Sequence, residues 1–562
     1  MRLYAKWNIA QDNSYDSLID AILAVRHLSR KDLEVGSEAL LDPMLLKDMD
    51  RAVERIARAI RKSQRIMVFG DYDVDGISST ALMSDFLETV GSNFLCILPD
   101  RHKDGYGLSP PAVERAVALG VDLIITVDNG ISAFDGLEFA KNSGVDVVVT
   151  DHHKQLELLP EAEAVVNPNR HDCSYPFKGL AGVGVAFKVV QALSEKFIPS
   201  DKKRGYLNSL LDLVALGTIA DIAPVFGENR VLIRRGLQVL NHTHRLGLDK
   251  LKMVAGISNR EITTTTVGYQ ISPRINVAGR MSNPDIALDL LCANTEGKAM
   301  QLAQELNDLN LRRQDLQREA LAEAVELVDP TMLKQDRVMV LLGGWDQGII
   351  GIIASKLRDK YMCPVVVCTW DCKEGYCVGS ARSFEWYDIS EAIGSCKELL
   401  SSFGGHSQAA GCSLRREHFE TFRRELIKHA QNNIAIEHLT TELNVDVELT
   451  PNHLNRKSIQ TLADLEPFGK GNEMPVYAMF GCKVVSRKLI GRDDNHLKME
   501  VEIGGKRCVA LWWNRGEIYP EVKIGQYLSV AFGLEEDSYG GREAVQMVIK
   551  DMFIENEEDQ DD

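Results

Sequence analysis

No stretch of this 562-residue chain runs through about 18 consecutive apolar residues, so a membrane-spanning helix is not expected. The opening "MRLYAKWNIAQDNSYDS" lacks the apolar centre and small-residue cleavage site of a secretory leader. Eleven cysteines follow no regular frame, and an odd, scattered set points to reduced thiols and a cytoplasmic protein. Cys363, Cys368, Cys372 and Cys377 crowd together, but none is spaced as CxxC, which sets a zinc site aside. Neither a GxSxG nor a Walker A sequence is present. A basic excess is also missing. The net charge of −17 argues against a chain that coats nucleic acid indiscriminately, yet it leaves room for a local basic channel.

What is present is an ordinary globular composition, 45% hydrophobic and 26% charged, in a chain long enough for about three or four domains. Residues 1–60 read as helical, with "SLIDAILAVRHL" carrying apolar residues at helical spacing. Residues 61–290 open with the short apolar runs "RIMVF", "FLCIL", "VDLIITV" and "VDVVVT". These alternate with helix-like segments and predict an α/β domain with a mostly parallel sheet. Later in that region 205–245 reads as helix-rich and "EITTTTVGYQISPRINVAGRM" (261–281) as loop-like. Residues 291–330 contain a run from Lys298 to Val328 without Gly or Pro, which predicts a connecting helix of about 31 residues and roughly 46 Å. A second β/α lobe follows over 331–435, then a strand-rich stretch over 440–554 of the size of an oligonucleotide-binding barrel. The acidic end, 555–562, reads as a solvated tail.

The chemistry gathers where strands end. "RIMVFG" runs into Asp71, Asp73 and Asp75, "LIITV" into Asp128, and "VVVT" into Asp151–His152–His153. An extended continuation after the first strand would keep the first three acids on one side. Ligands of open parallel sheets bind outside the carboxyl ends of strands, so these groups are expected in one crevice, with Asp221 of "LVALGTIADIAP" joining them. Any one of these acids, alone, reads as a turn former or helix cap. Unpaired carboxylates in one crevice repel one another, and so many of them with imidazole suit Mn²⁺ or Mg²⁺. Their number points to two ions sharing a carboxylate and activating water. "GLAGVGVAF" (179–187) echoes a dinucleotide loop but lacks its final glycine and a preceding strand.

At "DYDVDGISSTA", "VDNG", "DHH" and "ADIAP" the sequence resembles the DHH phosphoesterase superfamily, and "FGGHSQAAG" (403–411) looks like the signature of the DHH-associated domain. With "DRHKDGYGLS" (100–109), "SPRINVAGRM" (272–281) and the barrel, it is most similar to the superfamily's single-strand DNA exonucleases, over about residues 40–555. The resemblance implies two β/α lobes around a cleft, joined by the long helix. It implies hydrolysis of single-stranded DNA 5′→3′ to 5′-mononucleotides, in recombination and repair, with two Mn²⁺ or Mg²⁺ ions. Metal ligands are implied at Asp73, Asp75, Asp128, His152 and Asp221, with Asp128 bridging. Asp71 joins them as a ligand or supporting group, and His153 as a catalytic group facing substrate. Some small relatives carry a histidine just before the first acids; "MVF" stands there in this chain, giving the first ion one imidazole fewer. Arg280, Ser380, Arg382, Gly405 and His406 match positions that hold substrate phosphates. Single-stranded DNA is the implied partner, accompanied by a single-strand binding protein and a helicase. Two rivals are a small-nucleotide phosphoesterase of the same superfamily, acting on nanoRNA, phosphoadenosine phosphate or cyclic dinucleotides, and a non-catalytic nucleic-acid scaffold.

Overall fold

The chain opens on a strand, β1 (Lys6–Ile9), which pairs in parallel with Glu442–Val445. This corrects the helical reading of the first 60 residues at its start only; Leu18–Val25 and Met49–Arg61 are helices, as that reading expects. The apolar faces of Trp7 and Ile9 pack on Leu443 and Val445, and that partner is too far along the chain for local periodicity to reveal. The computed structural model describes residues 3–10, 17–33, 36, 39–99, 107–370, 375–439, 442–491, 493–537 and 544–555. Residues 100–106 of the "DRHKDGY" motif, Cys372 and the acidic tail beyond 555 lie outside the described residues. Two compact units emerge, one comprising Ser29–Leu311 with Leu465–Met474, the other Met1–Leu28 with Arg312–Asp464 and Pro475–Asp562. No helix among the described residues is long and apolar enough to cross a membrane.

In the first unit, helix α1 (Met49–Arg61) leads into β2 (Ile66–Phe69), α2 (Val74–Thr89) and β3 (Phe94–Ile97). The alternation continues through α3 (Pro110–Ala118), β4 (Leu123–Val127), α4 (Phe134–Asn142), β5 (Asp146–Thr150) and β6 (Ala164–Val166). All five strands are parallel, in the order β3-β2-β4-β5-β6. The pleat explains the continuous apolar runs. Ile66 and Val68 enter one hydrophobic cluster and Met67 and Phe69 the other, so helices cover both faces. The chain moves from β2 to β3 on one side and then returns to place β4 on the other. The sheet's switch point is therefore between β2 and β4, above which a crevice opens.

Four helices complete the site's surroundings: α5 (Gly182–Phe197), α6 (Leu211–Ala220), α7 (Gly227–Asn241) and α8 (Ser272–Met281). The last overturns the loop-like reading of 261–281. Thr263 caps a short turn, a π-turn spans Val267–Ile271, and α8 follows directly. Val267, Ile271, Ile275 and Ala278 are buried at near-helical spacing, and tertiary burial overrides the weak propensity of four threonines and two glycines. Helix α9 (Glu296–Glu326) has 31 residues, as its unbroken pattern predicts.

The second unit contains a mixed sheet and a barrel. β7 (Met339–Gly343), α10 (Ile350–Tyr361) and β8 (Val365–Trp370) form a parallel crossover. Antiparallel strands β9 (Tyr376–Arg382), β10 (Leu400–His406) and β11 (Ala409–Arg415) extend it in the order β10-β11-β9-β8-β7, and α11 (Phe419–Asn433) packs on its core. After β12 (Glu442–Val445) and β13 (Val447–Glu448) come β14 (Tyr477–Ile490), β15 (His496–Ile503), β16 (Lys506–Trp512), β17 (Tyr527–Asp537) and β18 (Ala544–Ile554). Pairing of β14 with β17 closes the last five into a barrel, removing exposed sheet edges. Trp512, the last residue of β16, is 3% exposed, while Trp513, the first residue of the turn that follows, is 46% exposed.

Candidate active site

The three acids after β2 do not continue the strand. Asp73 is the N-cap of α2 and accepts the Gly76 amide at 3.0 Å, while Asp75 lies in the first helical turn. The cap that a lone Asp would suggest is therefore real, and it is compatible with ligation because a carboxylate oxygen has lone pairs to spare. Tight glycine packing makes this possible. A Cβ on Gly76 would stand 2.6 Å from Asp71, so only glycine lets the loop fold back over itself.

Asp128 follows β4 with a left-handed backbone (φ 63°), its amide donating to Thr150 at 3.0 Å. Asn129 ties the neighbouring strand ends together, donating to the carbonyls of Phe69 (3.2 Å) and Val127 (3.0 Å). After β5, Asp151 is turned inward and accepts from the amides of Ile131, His152 and His153 and from the His153 ring at 2.8 Å. Asp221 caps the C-terminal end of α6.

These side chains converge. His152 Nε2 lies 3.2 Å from Asp128 and 3.9 Å from Asp75, and its Nδ1 lies 3.9 Å from Asp221. Ligand-type atoms fall within 4.8 Å of one another in three groups: Asp71, Asp73 and Asp128; Asp75, His152 and Asp221; and Asp128, His152 and His153. Asp128 is common to the first and third. Asp71, Asp75 and Asp128 are only 5%, 2% and 2% exposed, and one oxygen each of Asp71 and Asp128 is buried without a hydrogen bond. Buried, unpaired carboxylate oxygens facing one another are what a divalent cation satisfies, and a set of oxygens with one or two imidazoles fits Mn²⁺ or Mg²⁺.

The electrostatics agree. Burial, then the charge of Asp73, raises Asp71 to about 8, and the same two causes raise Asp221 to about 7. Asp75 and Asp128 are pushed well up by burial and by their acidic neighbours. Burial, followed by His153, lowers His152 to about 4, leaving a neutral imidazole suited to ligation. His153 behaves oppositely. Burial works to lower it, but the hydrogen bond and charge of Asp151 outweigh burial and raise it to about 9. Burial alone would raise Asp151, but bonds from His153 and the backbone hold it below the usual carboxylate range.

Of the residues expected to hold phosphate, Arg280 is in the first unit on α8. That helix packs on the acid loop, with Asn276 accepting the Val74 amide at 3.1 Å and Gly279 against Tyr72. Ser380, Arg382, Gly405 and His406 are in the second unit. Cross-strand register puts His406, Ala409 and Arg382 in one row and Gly404, Gly411 and Ser380 in another, so Ser380, Arg382 and His406 share a face. Arg382 bonds Ser380 Oγ at 3.2 Å, and Gly351, in the first turn of α10, lies against both. "GGH" is strand rather than tight turn, and a Cβ on Gly405 (φ 147°) would meet the Ala409 carbonyl at 2.4 Å.

Sequence reasoning placed Asp151 in the crevice without a role and missed two further contributors. Asp151 is the buried anchor of both histidines. Gly182 and Val183, in the stretch that echoed a dinucleotide loop, donate their amides to the two oxygens of Asp75 at 2.7 and 2.9 Å. The glycines there serve close packing: a Cβ on Gly182 would lie 2.3 Å from Asp128, and one on Gly217 2.6 Å from Asp75. The helix-opening pattern was legible; its target was not.

Comparison with known proteins agrees with this geometry. Residues 65–218 match the DHH family, N-terminal domain; 335–432 match the DHHA1 domain; 445–551 match the RecJ OB domain. The chain is 37% identical over 559 residues to the single-stranded-DNA-specific exonuclease RecJ of Haemophilus influenzae, covering 96% of this chain and 97% of that protein. The RecJ of Escherichia coli is 33% identical, with 93% of each chain covered. That of Bacillus subtilis is 36% identical over 91% of this chain, which spans 64% of the Bacillus protein's length. Crystal structures of RecJ from Thermus thermophilus in complex with Mn²⁺ and with Mg²⁺ superpose with TM-scores of 0.81 and 0.75 at 28% and 27% identity. They cover 98% of this chain and 80% and 79% of those chains.

Proposed function

This chain belongs to the RecJ family of single-stranded-DNA-specific exonucleases, and from that premise we propose that it hydrolyses single-stranded DNA 5′→3′ to 5′-mononucleotides at the acidic centre above β2 and β4. The observation that carries the reading is the convergence of five acids and two imidazoles, with buried unpaired oxygens on Asp71 and Asp128.

In this reading Asp71, Asp73 and Asp128 would hold one Mn²⁺ or Mg²⁺ and Asp75, His152 and Asp221 the other, and Asp128, which also clusters with His152 and His153, would be the carboxylate available to both. Bound there, the two ions supply Lewis acidity at the scissile phosphate and lower the pKa of the attacking water. The chain's own residues do the rest. Asp151 fixes both histidines by accepting from their amides and from the His153 ring, which presents His152 to the acids and His153 to the phosphate. Arg280, Ser380, Arg382 and His406 bind phosphates of the strand, with Gly405 allowing close backbone approach. The barrel extends the binding path. Recombination and repair in the cytoplasm, alongside a single-strand binding protein and a helicase, complete the proposal.

The test uses full-length protein, Mn²⁺, and oligonucleotides labelled at either end, alone or as partial duplexes. Mononucleotides should be released from the 5′ end, and activity should fall when that end is buried in duplex. Digestion from a free 3′ end would overturn the polarity. Faster turnover of dinucleotides than of long strands would favour the small-nucleotide rival.

A further inference from the structure

A ten-residue segment far along the chain, Leu465–Met474 ("LEPFGKGNEM"), folds with the catalytic unit. Its hold is polar and specific. Arg230 is 1% exposed and makes no ion pair among the described residues; its guanidinium donates to the carbonyls of Leu33 (3.1 Å), Leu465 (3.2 Å) and Glu466 (2.7 Å). Burying a cation without a carboxylate is costly, and here the result is a fixed position for this arm. The buried Asn472 amide donates to Leu465 (2.8 Å) and Pro467 (2.9 Å), and Gly469 and Asn472 exchange backbone hydrogen bonds, closing the arm into a tight loop.

The tip of that loop is pressed onto the turn after Asp221. The Val225 amide donates to the Lys470 carbonyl at 2.9 Å. A Cβ on Gly469 would stand 2.5 Å from Val225, and one on Gly471, which has a left-handed backbone (φ +82°), 2.3 Å from Phe226. Between these two glycines Lys470 faces solvent, and among the described residues its ammonium makes no ion pair. The centre has a use for such a cation. Its five carboxylates outweigh two divalent ions by one charge, and a phosphodiester adds another, so a free positive group at the rim offsets the surplus.

We propose that Lys470 is a substrate-binding residue of this centre: the 465–474 arm seats it on the turn after Asp221, from where its exposed ammonium pairs with a phosphate of the incoming strand. The assignment rests on the nuclease reading above. It is tested with full-length Lys470→Ala, Lys470→Glu and Lys470→Arg proteins on a single-stranded oligonucleotide at saturating Mn²⁺ and several salt concentrations. Lys470→Ala should lower kcat/KM about tenfold or more, mainly through KM, and Lys470→Glu should lower it further, while Lys470→Arg keeps most of the activity. The slope of log KM against log salt should become shallower by about 0.7 in the alanine variant, the value for one lost phosphate contact on a single strand. Mn²⁺ titration and melting temperature should match wild type. An alanine variant with wild-type kcat/KM and salt slope overturns the assignment. So do equal losses in the alanine and arginine variants accompanied by a lower melting temperature, because the arm would then matter only as structure. A wild-type protein that leaves the oligonucleotide intact sinks the nuclease reading itself, which is a separate result.

Discussion

At the scale of single residues, the shared carboxylate decides most. Asp128 belongs to two of the three ligand groups, so Asp128→Ala should remove activity by about a thousandfold or more and abolish tight Mn²⁺ binding. Circular dichroism should stay native, because the buried Oδ1 of the side chain accepts no hydrogen bond from the fold. Near-wild-type turnover in that variant would break the two-metal assignment. The raised acids make a second prediction. Asp71 at about 8 and Asp221 at about 7 sit above an unfolded value of roughly 4. A raised acid favours the fold below the unfolded value and loses that contribution as pH rises through the folded one. The chelator-treated protein should therefore melt at lower temperature near about pH 8.5 than near about pH 6. Mn²⁺ binds the deprotonated carboxylates, so its stabilising shift should grow over the same window. Thermal melts with chelator or Mn²⁺ check this; a shift independent of pH would contradict it.

At the scale of elements, the site is made by helix ends meeting strand ends. α2 opens on Asp73, and α5 opens on amides that hold Asp75, so one carboxylate is fixed between two helix N-termini. Gly182→Ala places a methyl group where Asp128 now lies and should cost about a hundredfold in turnover through displacement alone. Gly205→Ala is the control: its Cβ meets nothing within 4 Å, so activity should hold and stability should rise by up to about 1 kcal/mol. Equal activity of the two variants would show that the Asp128 contact is not critical. The acid-bearing strand ends were legible because each apolar run stopped at an acid. The helix at 272–281 was not, because the threonines and glycine just before it (263–268), with Pro273 and Gly279 inside it, mask a periodicity that only burial against the acid loop enforces.

At the scale of the whole molecule, the proposed role of the barrel in binding long strands can be tested at Trp513. Trp513 is the outward member of its pair, set edge-on to His496 with ring centroids 4.8 Å apart. Trp513→Ala should weaken binding of a long single strand by about 1–3 kcal/mol, the range for one stacked base, and leave cleavage of a very short strand unchanged. Fluorescence anisotropy with long and short oligonucleotides separates the two; equal affinity for the long strand would remove Trp513 from the path. The sequence by itself determined the class of the first domain, the long helix, the barrel, and the acids and histidines of the centre. Strand burial, helix periodicity and strand-end chemistry are local signals written in consecutive residues. Only the tertiary structure decided that the N-terminal residues join a strand more than four hundred positions away. It alone decided that Gly182 and Val183 serve Asp75, that Asp151 is spent on the histidines, and that the 465–474 arm joins the catalytic unit with Lys470 bonded to Val225. Those outcomes depend on backbone hydrogen bonds and close packing between segments distant in sequence, and no pattern within a single segment encodes its partner.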